Sequence, residues 1–185
     1  MAVQPHRKQF TVEEYYRMAE TGVLGRDDRV ELIDGEIVVM TPIGSAHAAC
    51  VVGLTEFFAP RLGKRAHVRI QLPLRLNDLS EPEPDVALVR WSPTRYAAAH
   101  PGPAEALLVV EVADSSLDYD RTTKLGMYAG AGIPEYWVVS LPDRRLELYG
   151  SPAPDGYREV RHAGAGEQVA ALALPDLLLD VSDIF

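Results

Sequence analysis

The spacing of apolar positions changes along the chain, and each change predicts an element. In FTVEEY, Thr11 can cap a helix and Glu14 can complete a capping box three residues later. Phe10 can pack on Tyr15, and Gly22 is a natural stop. RVELIDGEIVVM alternates around Asp34-Gly35, a strong hairpin signal that pairs Val30–Ile33 with Glu36–Met40. Ser45 can cap a helix over 46–62, where Ala48, Val51, Val52, Thr55 and Phe58 recur at helical spacing and Gly63 ends the run. From His67 to Leu76 basic and apolar residues alternate, as in a strand. Asp85–Arg90 is a nearly unbroken apolar run, and Ala106–Ala113 is interrupted only by Glu111. Such runs suit strands covered on both faces.

Helical spacing returns from Leu117 to Ala129, before Gly130 and Gly132. Strands are then expected at Tyr136–Ser140 and, after a turn at Pro142-Asp143, at Arg145–Tyr149. Two short strands near Tyr157–Arg161 and Gln168–Leu172 precede the apolar end LPDLLLDVSDIF. The central order is helix, three strands, helix, strand. This predicts an α+β (mixed α/β) fold with a mixed central sheet, preceded by an N-terminal helix and hairpin and followed by extra C-terminal strands. One domain over residues 1–185 is expected, with its core at about 45–140.

Charge narrows the function classes. The net charge of −9 argues against a protein coated in basic residues to hold nucleic acid nonspecifically. Its distribution is uneven, since no Asp or Glu occurs from Phe57 to Asn77, while Arg61, Lys64, Arg65, Arg69 and Arg75 fall there with His67. That stretch reads either as a solvated helix end and strand face or as a phosphate-contacting patch. Arg61, Lys64, Arg65 and Arg69 are the nucleic-acid-binding candidates of the second reading. Cys50 is the only cysteine, so no disulfide can form within one chain, which fits a reducing, cytoplasmic setting. No apolar run approaches a membrane span, and MAVQPHRKQF lacks the apolar segment of a secretory signal.

Three charged residues sit where the pattern calls for apolar ones. Asp85 opens the second core strand, with Glu81 and Glu83 just before it; Pro-Asp is also common at ordinary strand starts. Glu111 follows Leu107, Leu108, Val109 and Val110. An ionised carboxylate there is costly unless it is paired, hydrogen-bonded or metal-bound, or unless the strand ends and leaves it on the rim. At about 100° per residue, with Asp120 at zero, Lys124 falls at about 40°, between Met127 at about −20° and Leu117 at about 60°. Lys124 therefore lies in the apolar arc, although an Asp120–Lys124 pair or a snorkelling side chain would also account for it. Two carboxylates and a lysine suit metal-assisted phosphodiester hydrolysis, because hard oxygen ligands suit magnesium, or manganese, and a lysine can orient water or neutralise charge.

RVELIDGEIVVMTPIGSAH, EPEPDVALV and LLVVEVADSSLDYDRTTKLGMYAGAGIPEYWVV together resemble the Uma-two family, which is grouped with the PD-(D/E)XK nucleases. The resemblance runs from about Phe10 to the C-terminus. It implies a restriction-endonuclease-like αβββαβ core and a Mg-dependent endonuclease acting on DNA. It also implies that Asp85 is the motif aspartate and Glu111 the acidic residue of the third strand, both metal ligands. The motif lysine would fall at Ala113, so the resemblance implies a lysine migrated to the next helix, at Lys124. Glu31 matches a further family carboxylate, counted with Asp85, Glu111 and Lys124 as catalytic. His47, Gln71, Asp120 and Tyr128 are expected to line the site. A homodimer pairing through exposed edge strands would suit cleavage of two DNA strands. The competing readings are a catalytically weak or inactive nucleic-acid-binding module on the same fold, and a purely structural interaction protein.

Overall fold

The computed structural model describes residues 7–25 and 27–185, so the N-terminal stretch Met1–His6 lies outside the described residues. Helix α1 (Val12–Glu20) opens as its sequence dictates. The Thr11 side chain accepts the Glu14 N–H, and Glu14 returns a bond from the Thr11 N–H, closing a capping box. Strands β1 (Val30–Ile33) and β2 (Glu36–Val39) form the hairpin, with Asp34 at φ 49° and Gly35 at φ 77°. Only glycine fits at position 35, because a Cβ would stand 2.6 Å from the Gln9 Cβ.

Helix α2 (Ser45–Leu62) starts one residue before the expected helix. Gly44 is its N-cap and no side chain caps it, so Ser45 is the first helical residue rather than the cap. Cys50, Val51, Leu54, Phe58 and Leu62 form its buried stripe, and Gly63, at φ 56°, ends it. Each large apolar side chain so buried contributes about 1.5–3 kcal/mol.

The central sheet holds six strands in the order β3-β4-β5-β6-β7-β8. They are β3 (Ala66–Ile70), β4 (Val86–Arg90), β5 (Ala106–Ala113), β6 (Glu135–Ser140), β7 (Arg145–Ala153) and β8 (Gly156–Ala163). All neighbours are antiparallel except β5 and β6, which are parallel and joined by a helical crossover. The sheet is thus mixed, as the pattern of apolar runs predicts. Its apolar strands are covered on both faces: α2 and the C-terminal segment lie over one, and the Leu117–Gly130 crossover over the other. The C-terminal segment adds β9 (Gln168–Val169), β10 (Leu179–Asp180) and a 3-10 turn (Val181–Ile184).

Two departures from the sequence pattern shape the site. Strand β3 stops at Ile70 rather than continuing to Leu76, because the backbone of Gln71 turns to φ 48°. The crossover helix is also not uniform. It runs as α3 (Leu117–Tyr119), a π-helical turn (Asp120–Lys124) and α4 (Leu125–Gly130). Such widened turns are rare and concentrate at functional sites.

Candidate active site

The sheet register builds the site. Val86 pairs with Val110 in β5 and with Ile70 in β3, so continuing the register sets Asp85 opposite Glu111 on one side and Gln71 on the other. Glu111 then pairs with Val138, Val138 with Glu147, and Glu147 with His162. One row of side chains therefore crosses the whole sheet on the face under the crossover helix. Two of its members, Asp85 and Glu111, are acidic neighbours where β4 begins and β5 approaches its end.

Asp85 is buried, and both oxygens of its carboxylate have hydrogen-bond partners. Oδ2 accepts from the Val112 N–H at 2.9 Å and lies 2.9 Å from His47 Nε2, while Oδ1 accepts from Gln71 Nε2 at 3.1 Å. Burial would raise the carboxyl, but these partners, led by His47, outweigh it and hold Asp85 below the usual carboxylate range. The same contact raises His47, whose Nδ1 is buried without a partner. Gln71 is fixed by its own backbone, its N–H donating to the carbonyls of Pro84 and Asp85. A non-glycine residue at positive φ stores strain, and strained positions cluster at functional sites.

Glu111 is 3% exposed and lies within β5, not on a rim. Its Oε1 accepts from Lys124 Nζ at 3.0 Å and from the Tyr128 hydroxyl at 2.8 Å. Its Oε2 has only a long contact, 3.4 Å, with the Asp85 N–H. Lys124 Nζ also lies 3.3 Å from Glu31 Oε1, and Glu31 Oε2 accepts the Glu83 N–H at 3.1 Å. Asp120 is engaged elsewhere, accepting from the Ser116 hydroxyl at 2.7 Å. The inward lysine is therefore in contact with the sheet and the hairpin carboxylates rather than closed into a pair on its own helix. Burial would depress the Lys124 ammonium, but Glu111, Glu31 and Asp120 together hold it above its ordinary value. Burial also raises Glu111 and Asp120, against the pull of Lys124.

A cleft of ≈ 310 Å³ opens above these groups. Glu31, His47, Gln71, Asp85, Glu111, Asp120 and Lys124 all line it. Tyr128 lies beneath, fully buried, touching the cleft only through Glu111. Glu83, marked by the acidic cluster before Asp85, also lines the cleft, as do Asp114, Tyr119 and Arg29, for which the sequence carries no signal. Carboxylates outnumber cations in this lining. A polyanion can approach such a wall only with cations beside it.

Among the described residues no group of three His, Cys, Asp or Glu side chains stands ready to hold a metal ion. The donor chemistry still suits one. Glu111 Oε2 and Asp85 Oδ1 belong to cross-strand neighbours and each has a single hydrogen-bond partner, leaving hard oxygens with acceptor capacity to spare, and magnesium commonly takes one or two carboxylates and fills its shell with water and phosphate oxygens.

The basic residues lie apart from this cleft, and none of the four lines it among the described residues. Arg61 lies over the Phe57 ring and donates to the Phe57 carbonyl. Lys64 stands 5.3 Å over Trp91, Arg65 is bidentate to Asp176, and Arg69 donates to the Pro73 carbonyl.

A sequence profile described as "Uma2: Putative restriction endonuclease" matches residues 12–182. Among curated proteins no sequence matches the chain. A solved structure titled as "a putative nuclease belonging to DUF820" from Anabaena variabilis is similar in fold, with a TM-score of 0.70 at 15% identity, covering 95% of this chain and 97% of that one.

Proposed function

Because the chain belongs to the Uma2 family of restriction-endonuclease-like proteins, we propose that it is a divalent-metal-dependent endonuclease that hydrolyses DNA phosphodiester bonds in the acidic cleft. The observation that carries this reading is the convergence of Asp85, Glu111, Glu31 and Lys124 on one cleft. Asp85 and Glu111 would hold Mg²⁺ or Mn²⁺. When bound, the ion would offset the charge of the phosphate and acidify a water.

The chain's own residues divide the remaining work. Lys124, kept protonated by its carboxylate partners, is a cation and not a base. It faces the cleft, where it stabilises charge growing on the phosphate oxygens. Glu31 and Tyr128 keep the ammonium and Glu111 in place. Asp120 lines the cleft with a carboxyl that burial raises, so it accepts the proton of the attacking water. Water oxygen bonds to phosphorus, the P–O ester bond breaks, and the leaving oxygen takes its proton from solvent. His47 and Gln71 orient Asp85.

Arg69 on edge strand β3 and Lys64 in the turn before it are the natural track for the DNA backbone beyond the cleft, with Arg61 and Arg65 flanking it. A homodimer and a cytoplasmic setting accompany this reading; β8, whose outer edge has no partner strand among the described residues, offers a pairing surface.

The test is cleavage of plasmid and duplex DNA with Mg²⁺ or Mn²⁺, for wild type and for D85N and E111Q. Wild type should cleave, chelation should stop it, and both variants should be inactive while retaining native circular dichroism. Cleavage persisting in both would overturn the assignment. One observation favours the binding-module reading instead: Asp85 Oδ2 is already taken by His47 and the Val112 N–H. On that reading calorimetry finds no Mn²⁺ binding and no cleavage, and charge reversal at Lys64 and Arg69 weakens DNA binding.

A further inference from the structure

Glu147 is a third buried carboxylate in the row that contains Asp85 and Glu111, one strand beyond Val138. Two strand spacings separate them, roughly 10 Å. The catalytic reading gives Glu147 no role, yet its side chain is 1% exposed. It is ringed by donors. Arg121 reaches it through both Nε, at 3.1 Å to Oε2, and Nη2, to Oε1. Arg145 Nη2 donates to Oε1 at 3.0 Å, and the Tyr149 hydroxyl donates to Oε2 at 2.7 Å. Arg121 Nη2 also donates to Asp143 in the β6–β7 turn, at 2.9 Å.

Arg121 and Lys124 belong to the same π-helical turn. That turn therefore straddles the sheet with two cations, one seated on Glu147 and the other on Glu111. A widened turn is a poor helix by itself and needs external contacts to persist. A forked, bidentate guanidinium–carboxylate pair is the interaction best able to fix orientation as well as distance.

We propose that Arg121 and Glu147 are positioning residues: their bidentate pair pins the π turn to β7 and thereby aims Lys124 at Glu111. This rests on the catalytic reading of Lys124 above, but it makes a geometric claim that can be read without catalysis. Glu147 keeps Arg145 and Tyr149 when Arg121 is removed, so R121M should still fold.

The chain has three lysines, Lys8, Lys64 and Lys124, which makes amine acylation followed by mass spectrometry a direct probe. In wild type Lys124, at 7% exposure, should be protected, with Lys8 and Lys64 as internal references. In R121M its labelling, relative to those two, should rise on the order of tenfold as the turn opens locally. R121K, which keeps the charge and loses the fork, should fall between. In the cleavage assay R121M should lose kcat by about 10²-fold with KM little changed, since misplacement of a reacting group acts mainly on the chemical step. A merely stabilising pair would lower the melting temperature and leave both readouts unmoved.

Lys124 equally protected in folded R121M and wild type overturns the proposal. Should R121M fail to fold, E147Q removes the charge while keeping an oxygen acceptor, and the same labelling outcome decides. Absence of cleavage in wild type would strike the nuclease reading and leave the labelling test standing.

Discussion

Removing the buried ammonium should separate stability from chemistry at this site. In K124M, Glu111 keeps the Tyr128 hydroxyl, while both Glu111 and Glu31 lose their cation. At separations of 3.0 and 3.3 Å and an effective dielectric near 20, each attraction amounts to about 5 kcal/mol before desolvation is subtracted. Desolvation of the ammonium cancels much of this. Breaking a buried pair from one side costs about 3–5 kcal/mol, and the low end applies where the remaining carboxylate can take up a proton. Burial already raises Glu111, so K124M should lose about 3 kcal/mol at neutral pH, seen as a melting temperature lower by roughly 6–12 °C for a chain of this size.

The double variant E111Q/K124M sharpens the point. It neutralises the Lys124–Glu111 pair and keeps an oxygen acceptor for Tyr128, but Glu31 still lacks its cation; neutral replacements of buried ion pairs often match the original stability, so only the Glu111 share of the loss is relieved. It should therefore regain part of the loss in K124M and remain inactive on DNA. Differential scanning calorimetry with a parallel cleavage assay gives both readouts. K124M melting with wild type, or a double variant no more stable than K124M, would refute the electrostatic account. Full cleavage by K124M would refute the catalytic one.

Further outcomes concern the backbone and pH. Q71A and Q71G both lose the side-chain donor to Asp85, but only alanine retains the cost of the left-handed backbone. Q71G should therefore be the more stable of the two by about 1 kcal/mol in urea unfolding; equal midpoints would show that Gln71 is unstrained. Burial would raise Glu147, but the hydrogen bonds from Arg121, Tyr149 and Arg145 hold it below its ordinary value of 4.5. A carboxylate depressed on folding stabilises above its unfolded pKa, and that contribution is lost as pH falls through the folded value. The stability gap between wild type and R121M should thus be constant near neutrality and shrink below pH 4.5; denaturant midpoints at several pH values would expose a gap that instead widens.

Much of this was readable from residues alone. The unbroken runs in β4, β5 and β6 announced strands covered on both faces, and against that background Glu111 was conspicuous. A uniform helical wheel points Lys124 inward, although the real turn is π-helical. The widening changes the angle by less than the width of the apolar arc, so the inward direction survived. The end of β3 was not readable, because QLPLRL continues the alternation and nothing in a glutamine forecasts positive φ. Arg121 and Glu147 were equally hidden. RLELY reads as a strand with one polar face to water, and Glu147 is paired by Arg121, 26 residues earlier in the chain. Pairings of that span carry no periodicity.

The cross-sheet row also sets where this fold can change length. Side chains alternate between faces, so one residue inserted between Val138 and Glu147 that carries into β7 would turn Glu147 onto the opposite face, beside Trp137, and leave Arg121 facing Leu146. The four residues Leu141–Arg144 between β6 and β7 should therefore resist insertion and deletion more than their surface position suggests. The longer segment from Trp91 to Glu105, which joins β4 and β5, has the length to absorb either change without shifting a strand and should accept both. A library of single-residue insertions would draw the row's outline as a gap in the survivors.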